Sequence, residues 1–259
     1  MRASSIGQLL LLTLLLASGP CRALAEAGAS QPLPSFSATY EVRRNGLKIG
    51  EVELNYRQPG DGSYSYQSET RPTGLAAVLF DEVVLESSSG IIDHGRLKPL
   101  RYEYRRPRSN KNRDISLVFD WANKRAAVTA KGEKWNMDLP EGTLDKFAQQ
   151  IVLMQELEDG VDKHFYQVAD GGRLKTYGYT DGGEERIETP LGTFDTVRML
   201  RSKQGGPPRL TLWCAPVLRH LPVRAGRDQE EGSFEMELTA VHGLSRGTAA
   251  QDLGSVTPR

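Results

Sequence analysis

The sequence predicts a mainly β protein: a curved antiparallel sheet or half-open β-barrel wrapped around one central helix. Three observations predict it. Short apolar–polar alternations recur from Phe36 to Val241, the period of strands with one buried face. Clusters of Gly, Asn, Asp and Pro separate them at regular spacing, as in sandwiches and barrels. One stretch, Leu144 to Met154, instead carries apolar residues at helical spacing.

Residues 1–25 read as a secretory signal peptide. Arg2 gives a positive start, Leu9 to Ala17 is an apolar run broken only by Thr13, and Ala23-Leu24-Ala25 is a small-x-small exit. The run is far short of the roughly 20 residues that span a bilayer. Cleavage is expected after Ala25, with the periplasm as destination. Cys21 follows Pro20, whose fixed φ and missing N–H make a poor scissile site, so plain cleavage is preferred to lipidation. Residues 26–34 form a flexible spacer, residues 35–244 a single β-rich domain, and residues 245–259 a disordered tail.

The domain opens on a strand, with Phe36, Ala38, Tyr40 and Val42 alternating with polar residues. Asn45-Gly46 marks a tight hairpin, since both residues tolerate positive φ. On the return strand Leu47 and Ile49 share one parity and Val52, Leu54 and Tyr56 the other, so a bulge near Gly50 is needed to keep one apolar face. Pro59–Gly62 turns the chain, and Tyr64 and Tyr66 begin a third strand. Thr73 to Phe80 is apolar without alternation, a short helix or a lid-like loop. Further strands are expected at 81–89, 97–105, 114–120, 125–131 and 134–138.

Thr143 is the expected helix cap, with Asp145 in the positive first turn. Leu144, Phe147, Ala148, Ile151 and Met154 form its apolar stripe, and Gly160 closes it. Strands resume at 165–168, 173–179, 184–189, 193–202, 209–214, 221–225 and 232–241. Turns are expected at Asp170-Gly171-Gly172, Asp181-Gly182-Gly183, Leu191-Gly192 and Gly205–Pro208.

Composition bounds the chemistry. The chain of 259 residues has 33 basic and 33 acidic side chains. Losing Arg2 and Arg22 with the leader leaves 31 against 33, a balance of −2, with no net basic field for nucleic acid. Arg105, Arg106, Arg108, Lys111 and Arg113 read as a solvated hairpin turn, with an anionic headgroup contact as the sharper alternative. Cys214 is left as a lone, buried thiol on the face of Leu210 and Leu212. No metal-ligand spacing, nucleophile elbow, phosphate loop or dinucleotide fingerprint occurs, and no metal or cofactor is expected. His94, His164, His220 and His242 read as surface or edge residues. Glu184 and Glu188 form no carboxylate pair above chance.

Several segments in order resemble one exported family. Phe36-Ser-Ala-Thr-Tyr40-Glu-Val with Gly46-Leu-Lys-Ile-Gly50-Glu is similar to the opening of the domain of unknown function 3108. Thr189–Arg198, Trp213-Cys-Ala-Pro216 and Leu221-Pro-Val-Arg224 resemble its later elements. Cys214 departs from the family pattern, so it is not a shared functional residue. The resemblance implies a periplasmic, mainly antiparallel fold like the half-open barrels that carry lipids or lipoproteins. It implies no activity.

The leading expectation is a non-enzymatic periplasmic protein binding a lipid, acyl chain or other apolar ligand in envelope maintenance. Its candidate lining residues are Leu75, Phe80, Tyr102, Tyr104, Phe147, Ile151 and Trp213. Two alternatives stay open: a structural or partner-binding module with a filled core, and an envelope hydrolase. Oligomeric state is not set by the sequence.

Overall fold

The computed structural model describes residues 32–79, 82–107, 113–204, 206–229 and 232–245. The expected signal peptide, most of the expected spacer and nearly all of the expected tail, with Phe80, Arg108 and Lys111, lie outside the described residues.

The strands are β1 (Phe36–Arg44), β2 (Leu47–Arg57), β3 (Ser63–Pro72), β4 (Val84–Asp93), β5 (Arg96–Arg105), β6 (Ile115–Asp120), β7 (Arg125–Ala130), β8 (Glu133–Asp138) and β9 (Leu144–Asp145). After them come β10 (His164–Asp170), β11 (Arg173–Thr189), β12 (Gly192–Lys203), β13 (Pro208–Ala215), β14 (Leu221–Gln229) and β15 (Gly232–His242). Two helices interrupt them, α1 (Leu75–Leu79) and α2 (Ala148–Glu158), with a 3₁₀ turn at Pro216–Leu218.

All 15 strands belong to one sheet, in the order β8 to β1, then β15 down to β9. Neighbours are antiparallel, except that β9 runs parallel to β10. The first and last strands therefore pair at the centre, in register from Ser37↔His242 to Arg44↔Phe234. The sheet is open, and its edges, β8 and β9, are consecutive in sequence.

The local chemistry explains the pairing. Asn45 and Gly46 take φ of 49° and 77°, the two positive values a tight hairpin requires. The β1–β2 register shifts between Val42 and Arg43, opposite Gly50 and Lys48, so Ile49 is the extra residue that restores the apolar face. Gly50 itself admits the neighbouring strand, since a Cβ there would sit 2.8 Å from the Arg71 carbonyl oxygen. His94 and Gly95 turn β4 into β5 with φ of 50° and 78°.

Two apolar clusters lie on the inner face. The larger joins Phe36, Tyr40, Tyr56 and Tyr66 with Phe147, Ala148, Ile151 and Met154 of the α2 region and with Tyr179, Leu212 and Cys214. The smaller joins Tyr102, Leu117, Phe119 and Val128 of one arm with Ala169 of β10 from the other. The two arms of the sheet therefore approach each other. No residue from Thr143 to Glu158 is exposed.

Four expectations are corrected. The helix begins at Ala148 with Phe147 as its N-cap, and Thr143 instead donates to the Pro140 carbonyl at 2.7 Å. Residues 144–145 are drawn into the sheet by pairing with Val168 and Ala169. Asp181-Gly182-Gly183 is no turn: β11 runs on through it, with a register shift against β12 that the small glycines absorb. His164 and His220 are buried, because Glu156 and Glu158 lie beside their rings at 2.7 Å and 3.6 Å.

Candidate functional site

Between β4, β5 and the start of α2 lies a buried polar cluster at the seam of the two arms. Asp145 precedes the helix, where free backbone N–H groups attract a carboxylate. Its Oδ1 accepts from the N–H groups of Phe147 and Ala148 at 2.8 Å and 2.9 Å. Its Oδ2 accepts from the Ser88 hydroxyl at 2.6 Å, and Ser88 Oγ is 3.2 Å from the Tyr64 hydroxyl. Asp145 is inaccessible to solvent. Burial pushes its carboxyl up to about 6 against the opposing pull of those three hydrogen bonds, and Glu86 adds to the rise.

One layer outward, Glu86 binds Lys146 Nζ at 2.9 Å and accepts a short hydrogen bond from the Tyr102 hydroxyl. Burial, with Glu86 close by, raises the Tyr102 phenol far above its ordinary value. Lys146 also lies 5.9 Å from the Tyr104 ring centre. The Tyr104 hydroxyl accepts from Arg106 Nε at 2.7 Å, and Arg106 pairs with Glu82 at 2.8 Å. Asp170, on the opposite arm, binds Lys175 at 2.7 Å and the Tyr177 hydroxyl at 2.6 Å. Burial raises the Asp170 carboxyl, but those two partners outweigh it and hold it below the usual range.

This arrangement is a clamp. Ser88 donates to a carboxylate, yet among the described residues no imidazole is hydrogen-bonded to it, and Asp145 cannot be reached from solvent. His164 is engaged elsewhere, with Glu156 at 2.7 Å, and the Tyr166 hydroxyl donates to that same carboxylate at 2.6 Å. Among the described residues no group of three or more His, Cys, Asp or Glu side chains could hold a metal ion. What the cluster can do is exchange one proton at Asp145 and fix α2 to β4.

A second polar array crosses the other face of the sheet. Glu41, Glu237, Arg224, Trp213 and Arg198 are successive cross-strand neighbours on β1, β15, β14, β13 and β12. Arg43 bridges Glu41 at 2.5 Å and Glu237 at 3.5 Å, and Arg224 binds Glu237 at 2.6 Å. The Arg224 guanidinium lies 5.8 Å from the Trp213 ring centre. Trp213 Nε1 donates to Glu185 at 2.9 Å, and Arg198 pairs with Glu185 at 3.3 Å. A shallow groove of about 180 Å³ beside Trp213 is lined by Arg227 and Glu235. Sequence reasoning missed this array. Its signal was present in the family-like segments, which contain Glu41, Arg198, Trp213 and Arg224.

The structure separates the predicted lining residues. Phe147 and Ile151 are buried in the larger core, with the Phe147 ring 4.7 Å from that of Tyr66. Tyr102 is buried in the smaller cluster and Tyr104 packs against it. Trp213 alternates with Leu212 and Cys214 and is only partly buried, packing against the border of the larger core instead of inside it. Leu75 opens α1, and Phe80 lies outside the described residues.

The family described as "Protein of unknown function (DUF3108)" matches residues 36–239. No curated protein matches the chain. A β-barrel-like protein of the domain of unknown function DUF1849 from Brucella abortus superposes with a TM-score of 0.54 at 12% identity, covering 84% of this chain and all of its own. At that identity the likeness is one of fold. A candidate lipoprotein from Parabacteroides distasonis gives a TM-score of 0.33 at 9% identity, over 82% of this chain and 97% of its own. A candidate exported protein with a YmcC-like fold from Bacteroides fragilis gives 0.29 at 8%, over the same shares.

Proposed function

This chain belongs to the DUF3108 family of proteins of unknown function, and on that footing we propose that it is an exported, non-enzymatic binding module of the bacterial envelope. Its interior is occupied by α2 and meets no apolar ligand; partners are met on the outer faces and edges of the sheet. The observation that carries the reading is that no residue from 143 to 158 is exposed, with Phe147 and Ile151 packed among tyrosines of both arms. Where a lipid carrier keeps an apolar void, this sheet curls onto its own helix. The leader supports export. The engagement of Ser88, Asp145, His164 and Glu156 in structural hydrogen bonds supports a non-catalytic role.

The test is native mass spectrometry of the mature protein isolated from the periplasm, followed by solvent extraction and lipid analysis. The expected result is the bare chain mass under gentle conditions. A bound species of defined mass, lost on extraction, would overturn the filled interior and restore an acyl ligand between Tyr102, Phe147 and Ile151.

A further inference from the structure

The two ends of the open sheet are treated differently. At one end β9 is buried and tied to β4 through Ser88 and Asp145. At the other, β8 has β7 as its only strand partner among the described residues, and five of its six residues are exposed. Its pairing with β7 is regular, without a bulge, and it holds no proline. An unguarded edge of this kind is a template for another strand.

We infer that β8 pairs antiparallel with β8 of a second copy of this chain, on a two-fold axis through Asn136. The sequence Glu133-Lys134-Trp135-Asn136-Met137-Asp138 selects that register. With Asn136 opposite itself, Lys134 of each copy faces Asp138 of the other, and Trp135 faces Met137. Neither Lys134 nor Asp138 has an ion-pair partner among the described residues. Trp135 lies opposite Val128 and packs on Gly172, with Nε1 3.3 Å from the Gly172 carbonyl, so it belongs to the inner face, and Met137 shares its parity. The pairing thus joins apolar layer to apolar layer and charge to opposite charge. A slip of one residue would set Glu133 against Asp138 and Trp135 against Asn136, breaking both matches. Charges on an edge usually forbid pairing; here their spacing selects one partner, a reciprocal contact of two-fold symmetry.

The experiment is sedimentation velocity on the mature protein over a concentration series up to about 1 mM. It compares wild type with K134D, D138K, the K134D/D138K double swap and an equimolar mixture of the two single variants. Circular dichroism confirms that each is folded. The expected result is a concentration-dependent wild-type dimer, weakened about tenfold or more in each single variant. The double swap and the mixture, which restore opposite charges across the axis, dimerise again. A wild type that stays monomeric throughout overturns the inference, as does a dimer that ignores the swaps, because it forms through another surface.

Discussion

Replacing Asp145 by Asn should remove a pH dependence of stability that this one carboxyl imposes. In the folded protein the group titrates near 6, against an ordinary 3.8, because it is inaccessible to solvent. The native state therefore holds this proton more tightly than the unfolded chain does. Stability from this group is greatest below about 4 and falls as pH rises through 6. The difference of about 2.2 units amounts to about 3 kcal/mol, of which about 2 kcal/mol is regained on going from pH 7 to pH 4. Asp61, Asp93, Glu103 and Asp120 are pulled below the usual range by side-chain hydrogen bonds and slope the opposite way. The quantity to compare is therefore the difference between wild type and Asp145→Asn at each pH. The amide keeps an acceptor for the Phe147 and Ala148 N–H groups, so the cost of the swap itself is nearly independent of pH. Urea titrations followed by tryptophan fluorescence at pH 4, 5, 6 and 7 supply the numbers. The variant should gain about 2 kcal/mol relative to wild type between pH 4 and pH 7. Parallel curves for the two proteins would refute the burial argument.

Other substitutions test other parts of the fold. Gly90→Ala should cost 2 kcal/mol or more in urea unfolding (roughly the overpacking range), since a Cβ would lie 2.2 Å from the Lys98 carbonyl oxygen and 2.8 Å from the Tyr64 ring. Tyr40→Phe should lower stability by about 1–2 kcal/mol, measured the same way, because the hydroxyl of the buried Tyr40 donates to the Pro222 carbonyl at 2.8 Å. Arg224→Ala should cost about 2 kcal/mol by removing the 2.6 Å partner of the buried Glu237 and leaving Arg43, at 3.5 Å, to offset it alone beside Glu41. The double variant with Glu237→Gln should recover a large part of that loss, and thermal melts of the three proteins check it.

What the sequence made legible was local. Asn45-Gly46, the bulge beside Gly50, the burial of Cys214 and the inward parity of Tyr40, Tyr56 and Tyr66 each follow from a few neighbouring residues, and each is found. The start of α2 was misread because Thr143 is a good cap in one dimension, whereas the helix begins only after Phe147. The pairing of Leu144 and Asp145 with Val168 and Ala169 holds that stretch in the sheet and delays the helix. Trp213 was placed with the interior aromatics because it is apolar; it packs against the border of the larger core, while its indole N–H and ring face meet Glu185 and Arg224, which apolarity alone does not announce. His164 looked peripheral because its partner Glu156 sits on a different element. The clamp at Asp145 was invisible for a related reason: Ser88 and Asp145 are 57 residues apart, and no local pattern announces that β4 will reach α2.

Pairing the first strand with the last has a kinetic consequence. Within each arm every strand meets its sequence neighbour, so β1 to β8 and β10 to β15 can zip by short hairpin closures. The join of Phe36–Arg44 to Gly232–His242 is different: it closes a loop of nearly the whole domain, at an entropic cost of roughly 5 kcal/mol before any contact compensates. A chain emerging N-terminus first holds β1 with one side unsatisfied until the final strand appears. The half-built arm is therefore an extended surface waiting for its own C-terminus. The time between the emergence of β1 and β15 is when this molecule is most exposed to the wrong partner.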